Sequence, residues 1–318
     1  MSAVEAAPTC GIDIGGTKIA GAVVASDGTI LATERVVSPA TDPAQMEQAA
    51  ATLVRELAAQ HPVAAVGIGA AGYIDEARST VRFAPNIAWR NEPLGSDLAR
   101  LTGLPVVVEN DANAAAWGEF RFGAGHDIDD QLMVTVGTGV GGGVILDGRL
   151  LRGAFGIAAE IGHLCLVPNG RQCGCGNLGC FEQYASGTAL VRNTQAAAEG
   201  NSLLAADVLD RAGGDVSAIT GPMVTEAAKA GDRFAIEQLQ EIGRWLGHGI
   251  ASLTAVLDPA AVVIGGGVSA AGDLLLDPIR EAFRHELSGR GYRPEADIRI
   301  ARLGNDAGVI GAADLARH

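Results

Sequence analysis

One device occurs twice in this 318-residue chain. It is a short apolar strand, a glycine-rich bend, a second strand, an Asp-Gly turn and a third strand. The first copy occupies residues 10–14, Gly15-Gly16, 19–25, Asp27-Gly28 and 30–37. The second begins about 120 residues later and occupies residues 132–136, a glycine bend at 137–143, a strand at 144–146 and Asp147-Gly148. Asp-Gly between apolar runs is a strong hairpin signal. Both bends also carry an adjacent threonine, Thr17 and Thr138. Two equivalent domains facing each other across a cleft explain the repetition better than two unrelated hairpins. Length agrees, because a single hydrophobic core rarely serves more than roughly 250–300 residues.

The intervening segments alternate helix and strand, which predicts an α/β layered architecture. Met46, Ala50, Leu53 and Leu57 recur at helical spacing. Residues 64–68 and 106–108 read as buried strands. A long helix is expected over about 234–257, with Leu239, Ile242, Leu246, Ile250, Leu253 and Leu257 as its apolar stripe and Asp258-Pro259 as its stop. Gly243, Gly247 and Gly249 weaken that helix by roughly 1 kcal/mol each relative to Ala, which implies that a neighbouring element approaches closely there. A further strand at 261–264 runs into Gly265-Gly266-Gly267. We expect a small N-terminal domain over 1–110 completed by the C-terminal helix 305–318, and a large domain over 111–304.

Charge narrows the partners. Twenty-three basic residues against 37 acidic ones give a net charge of -14. A sequence-independent grip on nucleic acid or on anionic membrane needs a basic surface, so neither is an expected partner. A phosphate ligand would have to be held locally, by backbone amides, a few side chains and a metal ion. The longest uncharged stretch near the glycine bend, residues 131–146, contains five glycines and falls short of the roughly 18 residues that a membrane span needs. No basic, apolar leader opens the chain, and a cytoplasmic location is expected.

The glycine motifs invite two wrong readings. Gly67, Gly69, Gly72 and Gly137, Gly139, Gly142 both match Gly-x-Gly-x-x-Gly, but a dinucleotide site requires the motif to open a helix. Neither copy does so in sequence. Residues 11–18 resemble a scrambled phosphate-binding loop, yet Thr17 precedes Lys18, the reverse of the order that sets a hydroxyl on magnesium. What remains is a pair of glycine bends between strands whose amides can form a nest for anionic oxygens, with Asp13 on the apolar strand beside the first bend.

Five cysteines, four of them within sixteen positions, point to a metal more than to a disulfide framework. His163, Cys173, Cys175 and Cys180 supply one nitrogen and three sulfurs, the tetrahedral set that a structural zinc ion prefers. Cys10 and Cys165 lie in apolar stretches and are expected in the core. Glu160 and Glu182 flank this loop closely enough for the metal to pin both carboxylates. Together with an imidazole they could accept the hydroxyls of a sugar, or they could be supports or solvated groups. Asn110-Asp111 stands where a strand meets a helix. Taken alone it reads as an N-cap; at the carboxyl end of a strand it can also serve as a general base. The helix terminus is expected to keep Asp111 ionised.

These segments together carry a resemblance. Residues 13–18 (Asp-Ile-Gly-Gly-Thr-Lys), 85–89 (Pro-Asn-Ile-Ala-Trp), 109–113 (Glu-Asn-Asp-Ala-Asn), 137–143, Glu160-Ile161-Gly162-His163 and the cysteine loop resemble the ROK family of sugar kinases, in order, from about residue 10 to the C-terminus. The resemblance implies an actin-like, hexokinase-like ATPase fold of two duplicated ribonuclease-H-like domains. By this resemblance ATP would be held by Gly15, Gly16, Thr17, Lys18, Gly137, Thr138, Gly139, Gly141, Gly142, Gly265 and Gly266, with Asp13 near Mg2+. The sugar would meet Asn86, Asn110, Asp111, Glu160, His163 and Glu182, with Asp111 as catalytic base. Structural Zn2+ would sit on His163, Cys173, Cys175 and Cys180. Within the family the pattern is most similar to ATP-dependent glucokinases, which implies glucose and ATP as substrates and a homodimer or homotetramer. The alternatives are a kinase for another hexose or N-acetylhexosamine, such as fructose or N-acetylmannosamine, a sugar-sensing regulator without turnover, or a kinase that takes polyphosphate as donor.

Overall fold

The computed structural model describes residues 7–84, 87–200 and 203–318. Internal packing divides the chain into two units. One comprises the stretch up to Gln131, Gly143–Ala159 and Arg302–His318; the other comprises Leu132–Gly142 and Glu160–Ala301.

The first unit opens with β1 (Thr9–Ile14), β2 (Lys18–Val24) and β3 (Ile30–Val37), which form an antiparallel meander. Helix α1 (Pro43–Gln60) follows. The side chain of Asp42 accepts from the amide of Gln45 at 3.0 Å and so caps a helix whose Pro43 fits its first turn. Met46, Ala50, Leu53 and Leu57, the residues predicted from their spacing, are all buried against Ile12, Ile68 and Val108. Strand β4 (Val66–Ala70) is followed by a small antiparallel sheet of β5 (Tyr73–Ile74), β6 (Val81–Phe83) and β7 (Arg90–Glu92). Helix α2 (Leu94–Thr102) leads to β8 (Val106–Asn110), and α3 (Asp111–Phe122) starts without a loop between them.

The chain then crosses between units through β9 (Gln131–Val136) and β10 (Val140–Leu146), and returns in β11 (Arg149–Leu150). Asp147 and Gly148 both have positive φ, 50° and 69°, as a two-residue hairpin turn requires. The sequence reading placed the whole of 137–143 in the bend. In the structure the strand begins at Val140, so Gly141, Gly142 and Gly143 are strand residues and the bend is confined to 137–139.

The second unit continues with α4 (Glu182–Ala185), α5 (Gly187–Gly200), α6 (Ala206–Arg211), α7 (Gly221–Lys229), α8 (Arg233–Leu257), β12 (Ala261–Gly265), α9 (Asp273–Glu286) and β13 (Asp297–Ile300). Gly243 and Gly247 of α8 have the use expected of them: a Cβ would stand 2.6 Å from Pro278 and 2.5 Å from the Ile279 carbonyl, both on α9. Helix α10 (Ala307–Leu315) closes the first unit. It lies so near the first sheet that a Cβ on Gly11 or Gly67 would fall 1.8 Å and 1.7 Å from the carbonyl oxygens of Val309 and Ala312. Gly67, the residue that mimicked a dinucleotide fingerprint, thus serves helix packing.

The two five-stranded sheets have the orders β3-β2-β1-β4-β8 and β11-β10-β9-β12-β13. Position for position these match, which is the architecture of a duplicated α/β domain and agrees with the repeat read from sequence. In the first sheet β1, β4 and β8 are parallel, with Ile14, Ala70 and Asn110 in register at their carboxyl ends. Among the described residues no helix is long and apolar enough to cross a membrane.

Candidate active site

In the first unit the carboxyl edge of the parallel strands gathers the acids. Asp13 lies at the end of β1 beside the bend Gly15–Lys18, which is closed by a hydrogen bond from the Gly15 amide to the Lys18 carbonyl at 3.1 Å. Thr17 and Lys18 are exposed. At the end of β8, Asn110 rather than Asp111 is the cap of α3: its side-chain oxygen accepts from the Asn113 amide at 3.0 Å, and its Nδ2 donates to the Gly72 carbonyl at 3.1 Å. Asp111 is therefore the first helical residue, and its carboxylate accepts from the Ala112 amide at 2.9 Å.

Burial raises the Asp111 carboxyl above the ordinary aspartate range, against the lowering effect of the Ala112 amide and the Asn110 side chain. Desolvation opposes the first-turn N–H groups that were expected to favour the ionised form, and it is the larger of the two effects. Asp13 is pushed up to about 6, by burial first and then by the negative charge of Asp111, with Lys18 as a partial offset. Asp13 and Asp111 are thus neighbouring carboxylates, both with proton affinity raised above the ordinary aspartate range, and a cation beside them would favour their charged forms.

In the second unit the bend after β9 is suspended between two elements. The Glu182 carboxylate, at the start of α4, accepts from the Val140 amide at 3.1 Å. On the other side the Gly187 amide donates to the Gly137 carbonyl at 2.8 Å, and the Thr188 hydroxyl to the Thr138 carbonyl at 2.7 Å. Gly139 lies directly under Glu182, where a Cβ would meet Oε2 at 2.1 Å. The bend opens onto a cavity of about 740 Å³ whose wall includes Gly137, Thr138, Gln195, Thr225 and Val268. That is within the range of small-molecule sites, roughly 300–1,000 Å³. Gly267 borders this cavity. Gly265 is the last residue of β12, packed against Met133, and Gly266 is packed on the Val136 backbone. Gly141 and Gly142 are within β10.

His163, Cys173, Cys175 and Cys180 converge, with one ligand atom from each lying within 4.8 Å of the others. The Cys175 and Cys180 sulfurs are 3.6 Å apart, and the Cys173 sulfur is 3.7 Å from His163 Nδ1. Tetrahedral zinc with its usual bond lengths would separate two sulfurs by about 3.8 Å and a sulfur from a nitrogen by about 3.6 Å. The donor set fits the ion. Burial, aided by the neighbouring thiols, pushes Cys180 up to about 12, the cost of crowding thiolates without a counter-charge. Glu160 stands immediately before the single helical turn Ile161–His163, so Glu160 and His163 share one short segment.

Asn86 lies outside the described residues. Cys10 is buried as expected, but Cys165 is exposed, a free thiol on a residue whose backbone pairs with that of Cys180. Sequence reasoning missed Gln195 and Thr225, because they lie on α5 and α7 with no local motif and only the tertiary fold brings them to the bend. It also missed the ion pairing of Glu109 with Arg78 and Arg152. A charged residue directly after three valines of one strand was the available signal.

Comparison with known proteins agrees with this geometry. The sequence profile of the ROK family matches residues 9–318. The chain is 50% identical over 310 residues to the glucokinase of Streptomyces coelicolor, covering 98% of each chain. It is 37% identical over 311 residues to the N-acetylmannosamine kinase of Escherichia fergusonii, covering 97% of this chain and 98% of the other. Among solved structures it superimposes with a TM-score of 0.91 on a ROK family glucokinase from Streptomyces griseus in complex with glucose and AMPPNP, at 52% identity and with 98% and 99% of the two chains covered.

Proposed function

The chain belongs to the ROK family, and from that membership and the carboxylates at the sheet edge we propose that it transfers the terminal phosphoryl group of ATP to the 6-hydroxyl of glucose. It has the hexokinase-like ATPase fold of that family and is a hexose kinase. The observation that carries the reading is Asp111: a carboxylate at a strand–helix junction with its proton affinity raised by burial. A base of that kind accepts the hydroxyl proton as the oxygen attacks, so no alkoxide has to form in advance.

Asn110, Asp111, Glu160, His163 and Glu182 are the groups we assign to the sugar hydroxyls, with Asn86 as a further candidate. Carboxylates accept from hydroxyls, and a zinc-bound imidazole donates its other ring N–H to a hydroxyl oxygen; a site built on such directed bonds discriminates strongly against analogues that lack them. The bends Gly15–Lys18 and Gly137–Gly142 supply amides and hydroxyls to the phosphates, where negative charge spreads in phosphoryl transfer. The cavity beside Thr138 has the volume for a nucleoside. Gly265 and Gly266 support the strand end next to it. Asp13 would hold Mg2+, which supplies counter-charge to the phosphates. His163, Cys173, Cys175 and Cys180 would hold Zn2+, which ties down the loop between Glu160 and Glu182.

The test is ATP-dependent ADP release by the purified protein against a panel of sugars. Turnover selective for glucose is the expected result. Selective turnover of an N-acetylated sugar would overturn the choice of substrate while leaving the phosphoryl-transfer chemistry. Absence of turnover on every sugar, with glucose still bound, would overturn the assignment as a kinase.

A further inference from the structure

Glu109, the residue before Asn110, is 1% exposed. Its Oε2 is 2.7 Å from Nε of Arg152 and 3.4 Å from Nε of Arg78. Its Oε1 accepts from the Asn110 amide at 3.0 Å and from Nδ2 of Asn113 at 3.1 Å. The carboxylate thus faces two guanidiniums on one side and the strand–helix junction on the other.

The arginines are themselves anchored. Arg152 donates to the carbonyls of Asp75 and Glu76 at 2.7 Å and 2.9 Å. Arg78 adopts φ 57°, and its carbonyl accepts from the Val108 amide at 2.9 Å. The turn that carries these groups is closed by the Asp75 side chain, which accepts from the amides of Ser79 and Thr80 at 2.9 Å and 3.0 Å. The end of β8 is therefore tied by ionic bonds to a turn that is rigid in its own right.

Stability alone does not call for this arrangement. The three preceding residues of β8 are valines, and an apolar side chain usually costs less to bury than an ion pair. What a buried, doubly paired carboxylate adds is direction. It fixes the backbone of Asn110 and the side chain of Asn113, the two partners of the α3 cap, and so the starting point of the helix at Asp111.

We propose that Glu109, clamped by Arg78 and Arg152, is a positioning residue that sets Asn110 and Asp111 for phosphoryl transfer. The inference rests on the reading of Asp111 as the base. A catalytic group displaced by ~1 Å can lose about a hundredfold in rate, and that is the expected fall in glucose turnover for Glu109→Gln, with KM for ATP unchanged. Gln cannot satisfy both sides, because its amide group would face the arginines donor to donor.

The experiment is a double-variant cycle in the full-length protein, with Glu109→Gln, Asp111→Asn and both together, read as glucose kcat and KM for ATP. The expected result is that Glu109→Gln adds no further loss in the Asp111→Asn background, since it acts through Asp111. Independent, multiplying losses would overturn the inference, as would wild-type turnover in Glu109→Gln beside a crippled Asp111→Asn. Wild-type turnover in Asp111→Asn would overturn the base assignment and this inference with it. If Glu109→Gln does not fold, the half-exposed Arg78 replaces it: Arg78→Gln is expected to lower turnover less, in the same non-additive way, and full activity of that variant would count against the clamp.

Discussion

Gly139→Ala separates function from stability at the second bend. The new methyl group would start 2.1 Å from Glu182 Oε2, whereas ordinary contact begins near 3.4 Å, so the carboxylate must retreat by about 1.3 Å. The atom that yields is the end of a flexible side chain and not backbone, so the fold survives. The hydrogen bond from the Val140 amide, 3.1 Å long at present, does not survive such a retreat. Glu182 is half-buried, and water takes over part of the lost bond. The net cost to stability is about 1 kcal/mol, a fall of about 2–4 °C in melting temperature. With Glu182 proposed as a sugar contact and the bend proposed to hold phosphate, moving both is expected to cost more in catalysis, about a hundredfold in kcat/KM. Steady-state kinetics with glucose and ATP varied in turn, beside thermal melting, test this. A variant with wild-type kinetic constants would refute the coupling of Glu182 to the phosphate bend.

Three further outcomes are expected. Gly311→Ala would set a Cβ 1.7 Å from the Ala114 carbonyl, so α10 and α3 must part, and thermal melting should report a loss of about 1–3 kcal/mol. Cys175→Ser should release zinc, read by elemental analysis, and weaken glucose binding through the loop that carries Glu160 and Glu182; unchanged metal content would contradict the assigned cluster. Asp13, raised to about 6, is anionic above that pH and neutral below it. The apparent affinity for Mg2+ should therefore fall as pH drops through about 6, and a flat profile between pH 5 and pH 7 would contradict its assignment.

The repeated strand–bend–strand device made the duplicated sheet legible, because Asp147-Gly148 and Asp27-Gly28 announce hairpins locally. Helical spacing likewise revealed α1 and α8. The start of β10 differs from the sequence expectation for a physical reason: Gly141, Gly142 and Gly143 have the composition of a turn, but Gly142 and Gly143 are small because Ile161 and Ala116 pack onto them. Cys165 was misplaced because an apolar neighbourhood in sequence says nothing about which side of a metal loop faces water. Burial raises the proton affinity of Asp111 against the pull of the helix terminus, and burial is a quantity that no local pattern encodes. The wall of the nucleoside-sized cavity was invisible for the same reason: Gln195 and Thr225 meet only in the folded unit.

The central claim is that Asp111 takes the proton of the attacking hydroxyl. Turnover of glucose and ATP by Asp111→Asn, measured beside glucose binding to the same variant, tests it most directly. Asn keeps the size of the side chain and removes its basicity, so glucose should still bind while turnover falls at least about a hundredfold, the lower range of general-base contributions. Near-normal turnover in a variant that binds glucose would contradict the account.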